Sequence, residues 1–187
     1  MVLRFVCVLL LVFIAYVANA FANPIPDGSQ SQSLSEKRPL YGVSYSFEQA
    51  GWYGLDPRGA YTKLLDEVDF DWVRLPFFWN LTLPRSNLNL DDLEFAIKEA
   101  DKRGVDVIIA LGAKTPYYPE FKWPREIRNQ VKFGETIDAY HPVADDILEI
   151  NRQVVEGLAK YDNIAYWQVE NEPFLANVDN IKFDPSF

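Results

Sequence analysis

The chain has 187 residues, a formal net charge of -9 and 15% aromatic residues. That acidic balance argues against nucleic acid and anionic lipid as partners, because both would be approached against charge repulsion. The single cysteine, Cys7, excludes an internal disulfide, so the core has to be held by packing.

The first element is a leader. Arg4 supplies a short positive region, Phe5 to Val17 form an apolar run, and Ala18-Asn19-Ala20 has the small-x-small form of a signal peptidase site. The apolar run falls short of the ~20 residues that a spanning helix needs. A signal peptide over residues 1–20 is therefore expected, with cleavage after Ala20. The implied protein is secreted or extracytoplasmic and keeps no stable membrane anchor. Residues 21–39, rich in Ser, Gln and Pro, have little to bury and predict a flexible linker. Residues 40–187 then form the folded domain.

Tyr41 to Ser46 reads as a first short strand, followed by a loop carrying Gly51-Trp52-Tyr53-Gly54. Asp56-Pro57 has the form of a helix N-cap with proline at the first helical position. Ala60, Tyr61, Leu64, Leu65 and Val68 then recur at helical spacing. Phe70 to Phe78 predicts a second strand, apolar throughout except for Arg74. Asn89 can cap a second helix with its stripe at Leu90, Leu93, Ala96, Ile97 and Ala100, and Gly104 ends it as a left-handed C-cap. Val105 to Gly112 is a third strand of the continuous apolar kind found where both sheet faces are covered. After a loop of about 30 residues, long enough to suggest function, Pro142 opens a third helix. Val143, Ile147, Ile150, Val154 and Leu158 mark its buried side. Asp162-Asn163 turn the chain into a fourth strand, Ile164 to Glu170.

Four strands alternating with three helices predict right-handed βαβ units and a parallel sheet. A doubly wound sheet and a (β/α)8 TIM barrel share this local pattern. No Gly-rich phosphate turn follows the first strand, and aromatic or polar residues follow one strand end after another. Both features favour the barrel. A full barrel takes about 250 residues, so the expectation is roughly the first four βα units, an N-terminal half.

The fourth strand runs into Asn171-Glu172-Pro173. Proline fixes its own φ and pushes the preceding residue toward extended geometry, so Glu172 is expected to stand extended at the strand's mouth, where barrel enzymes keep their acids and bases. Asn-Glu-Pro in this place resembles the acid/base motif of the large clan of (β/α)8 glycoside hydrolases. Cellulase-like family 5 is the nearest fit, with families 39 and 42 as relatives. Val73-Arg74-Leu75-Pro76 is similar to that clan's arginine-bearing strand. Gly112-Ala113-Lys114-Thr115-Pro116 and Pro119-Glu120-Phe121 resemble its Pro- and aromatic-rich third loop.

The resemblance implies a retaining two-carboxylate hydrolase of β-linked poly- or oligosaccharides. Glu172 would be the acid/base, Asn171 a partner of the sugar 2-hydroxyl, and Arg74 a support for a nucleophile supplied by a later strand. From the residues alone, Arg74 could equally neutralise Glu170, since a buried charge needs a partner. Trp52, Trp79, Tyr117 and Tyr118 follow strand ends and are expected to bind substrate, because flat rings suit the apolar faces of sugars. His141 is the only histidine; it predicts a helix-start or surface role, and neither metal nor cofactor is expected. Asn80-Leu81-Thr82 is a glycosylation sequon expected to be unoccupied. The rival reading is a non-catalytic carbohydrate-binding or inactive half-barrel.

Overall fold

The computed structural model describes residues 38–79, 88–117, 120–176 and 179–187. The expected leader, most of the linker, the sequon and Tyr118 lie outside the described residues. Pro39–Phe187 is one compact unit.

Four strands form a parallel sheet in the order β1 (Gly42–Ser44), β2 (Trp72–Pro76), β3 (Asp106–Ala110), β5 (Ile164–Gln168). Each neighbour in the sheet is the next of these four in the chain, with a helix crossing between: α2 (Pro57–Glu67), α3 (Asp91–Asp101) and α5 (Ala144–Leu158). This is the first half of a (β/α)8 barrel, about four βα units.

Local chemistry sets most of the boundaries. The Asp56 carboxylate accepts from the Gly59 N–H at 3.0 Å and Pro57 occupies the first turn of α2, as expected of that pair. Asn89 accepts from the Asp91 N–H at 3.1 Å ahead of α3, and Gly104 turns away from α3 at a φ of 68°. In α5, Val154 and Leu158 are completely buried and Ile147 and Ile150 nearly so. Each such side chain stabilises the packing of helix on sheet by about 1.5–3 kcal/mol.

One expected loop is a helix. Phe47–Trp52 forms α1, capped where the Ser46 hydroxyl accepts from the Gln49 N–H at 3.2 Å. The Ser-x-x-Gln pattern of a capping box was its sequence signal.

Side chains alternate across the strands. Val73 and Leu75 of β2, with Val107 and Ile109 of β3, face the helices and are fully buried. The opposite face, which a closed barrel encloses, carries Trp72, Arg74, Ile108 and Tyr166. Trp72 stacks on Tyr166 at 5.0 Å and 14°, and Tyr166 is still 56% exposed. The apolar run at β3 had suggested a sheet covered on both faces; helices cover only one.

The long segment after β3 is organised rather than slack. Lys114 and Phe121 form an antiparallel bridge, and α4 (Arg125–Arg128) follows. The short strand β4 (Thr136–Ile137) pairs in parallel with β6 (Lys182–Phe183) near the C-terminus. Ile137 and Phe183 are buried there, and the Phe183 N–H reaches back to the Pro173 carbonyl at 2.8 Å. That bond ties the β4–β6 pair to the Asn-Glu-Pro turn. Among the described residues, no helix is long and apolar enough to cross a membrane.

Candidate active site

The C-terminal ends of β2, β3 and β5 bring Arg74, the segment 112–117 and the turn 170–175 together. Arg74 points from the uncovered sheet face and donates through Nη2 to the Asn171 Oδ1 at 2.8 Å. Asn171 is buried, and its amide also donates to the Thr115 carbonyl at 3.4 Å. The Arg74 Nε is buried with no hydrogen-bond partner among the described residues. Among the described residues, no ion pair joins Arg74 to Glu170.

Glu170 is held by main chain instead. Its carboxylate accepts from the N–H groups of Ala113 at 2.6 Å, Lys114 at 3.1 Å and Asn171 at 3.2 Å. Gly112 makes the room: its φ is 91°, and a Cβ there would meet the Glu170 carboxyl at 2.4 Å. Burial pushes the Glu170 carboxyl up to about 7, while the three backbone donors and Lys114 pull it back.

Glu172 stands beyond this cradle with its side chain 55% exposed. Its φ is 48°, so the extended conformation expected from Pro173 is not the one adopted. Proline disfavours the right-handed region for its predecessor but leaves the left-handed one available. Two bonds to the Glu172 carbonyl fix that choice, from the Leu175 N–H at 3.0 Å and from the Lys114 Nζ at 3.0 Å. A non-glycine residue in this region stores strain of about 1–3 kcal/mol, which the surrounding bonds offset.

Lys114 escaped the sequence reading. Its side chain is fully buried, donating to the Glu172 and Leu175 carbonyls at 3.0 and 2.8 Å. The carboxylates of Glu120 and Glu172 lie 3.8 and 3.9 Å from the same ammonium. A loop lysine reads as solvated, and only the fold shows that this one is enclosed by oxygens.

The aromatic residues divide. Trp79 is 1% exposed and packs on Trp123, with ring centroids 6.5 Å apart. It has no free face for a sugar, contrary to the expectation for it. The chain leaving β2 carries it under the loop after β3, where Trp123 is anchored to the Ala113 carbonyl at 2.9 Å. Trp52 is 57% exposed, with the Lys122 Nζ 4.6 Å from its ring centroid and Lys122 in turn paired with Glu48. Tyr117 is half-buried beside the site, its phenol pushed up by burial and drawn down by Ser44 and Arg74. His141 sits ahead of α5, its Nδ1 accepting from the Val143 N–H at 3.3 Å and its Nε2 3.3 Å from Glu135. A separate cavity of about 240 Å³, lined by Phe47, Glu48, Phe78 and Asp92 among others, includes none of Arg74, Asn171 and Glu172.

A parallel half-barrel with an Asn-Glu pair at the end of its fourth sheet strand and an arginine behind it has the architecture of barrel glycosidases. Residues 30–182 match the family model described as cellulase (glycosyl hydrolase family 5). The chain belongs to that family. Among solved structures it is similar to GH5_18 from Streptomyces cattleya, solved in complex with GlcNAc, at 21% identity and a TM-score of 0.54. It is also similar to the endoglucanase Cel5A of Pseudomonas stutzeri, at 18% identity and a TM-score of 0.45. The two alignments cover 72% of this chain, and 34% and 42% of those chains respectively. The chain thus spans well under half the length of either. No curated protein matches it.

Proposed function

We propose that the protein of this chain is an exported glycoside hydrolase that cleaves β-linked poly- or oligosaccharides with retention, and that Glu172 is its acid/base. The observation carrying this is the Glu172 carboxylate, open to solvent at the mouth of β5 with Asn171 locked to Arg74 behind it. In the first step Glu172 gives its proton to the departing glycosidic oxygen while a second carboxylate attacks the sugar. In the second step Glu172 takes a proton from water, which releases the sugar. Asn171 orients the 2-hydroxyl. The attacking carboxylate has to stand about 5–5.5 Å from Glu172, and a later barrel strand supplies it. Glu170 does not, since three N–H groups already occupy its oxygens. That commitment of Glu170 also favours a second reading, in which these four units bind carbohydrate without cleaving it.

The test is proton NMR of the full-length protein digesting a β-linked glycan. The first anomer released should be β. An α anomer contradicts retention, and no release at all favours the binding reading.

Of the described residues among the four expected aromatic ones, Trp52 has the most exposed ring and Tyr117 borders the site. Lys122 presses on the Trp52 ring, holding it as a platform on which a sugar can stack. Trp52→Ala should weaken oligosaccharide affinity about two- to tenfold, given that aromatic contacts contribute about 0.5–1.5 kcal/mol beyond area, and leave Tm nearly unchanged. Titration calorimetry and a melting curve decide it; a large Tm loss with unaltered affinity assigns Trp52 to packing.

A further inference from the structure

The reading above assigns no role to Lys114, yet it is the most enclosed cation among the described residues and touches the turn that carries Glu172. An ammonium has three N–H donors. Two go to the carbonyls of Glu172 and Leu175, at 3.0 and 2.8 Å. The third faces two carboxylates at nearly equal range, Glu120 at 3.8 Å and Glu172 at 3.9 Å. The Glu120 Oε2 is buried and has no hydrogen bond among the described residues, so Lys114 is its nearest compensation. The main chain of Lys114 is fixed as well, since its own N–H is bound by Glu170. One residue therefore locks the loop after β3 to the Asn-Glu-Pro turn from both of its ends.

We propose that Lys114 is a positioning residue for Glu172: it grips the turn through the Glu172 and Leu175 carbonyls and lies between the Glu172 and Glu120 carboxylates, holding Glu172 where the leaving oxygen has to be protonated. This rests on the reading of Glu172 as acid/base and adds the residue that holds that group in place. The geometry explains why a lysine is kept where a packed apolar residue would cost less to bury: a buried cation needs anions and carbonyls, and here they belong to the turn it holds. The remaining charged or titratable groups near the turn are Glu170 in its backbone cradle, Arg74 acting through Asn171, and Tyr117 beside Arg74. None of these bridges Glu172 to Glu120.

In the full-length protein assayed on a β-linked glycan, Lys114→Met should loosen the turn and lower kcat by about 10²-fold, the usual cost of misplacing a catalytic group by about 1 Å, with KM little changed. The loss should depend on the leaving group: bond cleavage on a dinitrophenyl β-glycoside needs no proton from Glu172 and should proceed nearly as in the parent. Lys114→Arg keeps donors for both carbonyls and should recover part of the rate on the glycan. An equal loss on the two substrates, or no loss on the glycan, overturns the proposal. Should Lys114→Met fail to fold, Lys114→Arg is read in the same way, and an equal change on both substrates there overturns it alone. Glu172→Gln separates the two levels. If that variant keeps its rate on the glycan, the acid/base reading itself fails; if it is inactive while the lysine variants lose both substrates equally, only the role of Lys114 fails.

Discussion

Glu172→Ala is expected to slow hydrolysis of a β-linked glycan by about 10²–10⁴-fold, the usual contribution of a positioned general acid. The loss should depend on the leaving group. A sugar alkoxide is a poor one and departs only as it is protonated, so the natural substrate meets the whole deficit. A dinitrophenolate departs without a proton, so bond cleavage on a dinitrophenyl glycoside should proceed nearly as in the parent. Hydrolysis of the sugar left on the enzyme still lacks its base, and turnover should stall after a burst of about one equivalent. Asn171 and Arg74 stay bonded to each other in the variant, so the site's frame survives and the comparison isolates the carboxylate. Stopped-flow detection of the burst, beside steady-state rates on the glycan, checks it. Equal rates for variant and parent on the glycan remove Glu172 from the chemistry.

A second large effect is expected in stability, from Glu170. Its carboxyl is raised to about 7 by burial, against an ordinary value of 4.5. A carboxyl with a raised folded-state value binds its proton more tightly in the native chain than in the unfolded one. Between pH 4.5 and 7 the native state therefore holds more protons, and stability falls as pH rises through that window. The full shift corresponds to about 3 kcal/mol; Glu170 is only part-buried, and screening by water reduces the expected change to about 1–2 kcal/mol. Carboxylates held low by hydrogen bonds, such as Glu149 at about 2 beside Arg152 and Gln153, lose their contribution only in more acid solution and stay outside the window. Glu170→Gln should flatten the slope. It should also lower stability at every pH, because the amide NH₂ would face main-chain donors that the carboxylate now satisfies. Urea midpoints from pH 4.5 to 8 for both proteins test this, and an unchanged slope in Glu170→Gln assigns the dependence elsewhere.

The parts of the molecule legible in its sequence are those decided within a few residues. Asp56-Pro57, Gly104 and the stripe from Val143 to Leu158 each act through neighbours along the chain, and their elements lie where the pattern puts them. Half of the barrel was readable from the alternation of strands and helices. The failures are contacts made across the fold. Proline narrowed the choices for Glu172, but the left-handed one was set by Lys114, 58 residues away in the chain. Arg74 had two plausible partners, and the backbone cradle of 112–114 claimed one of them by taking Glu170. A glycine ending an apolar strand was the one local hint of that cradle. Trp79 looked like a loop aromatic because its burial depends on Trp123, supplied by the following βα unit. The apolar run at β3 could not tell a face covered by helices from one that a closed barrel would enclose.

The central claim, that Glu172 serves as both acid and base, is tested most directly by azide rescue of Glu172→Ala in the full-length protein. Azide attacks the glycosyl-enzyme without a base and should restore turnover of a dinitrophenyl β-glycoside that water alone cannot sustain. The product should be the β-glycosyl azide, identified by the coupling of its anomeric proton. No acceleration by azide, or an α-azide as product, contradicts the account.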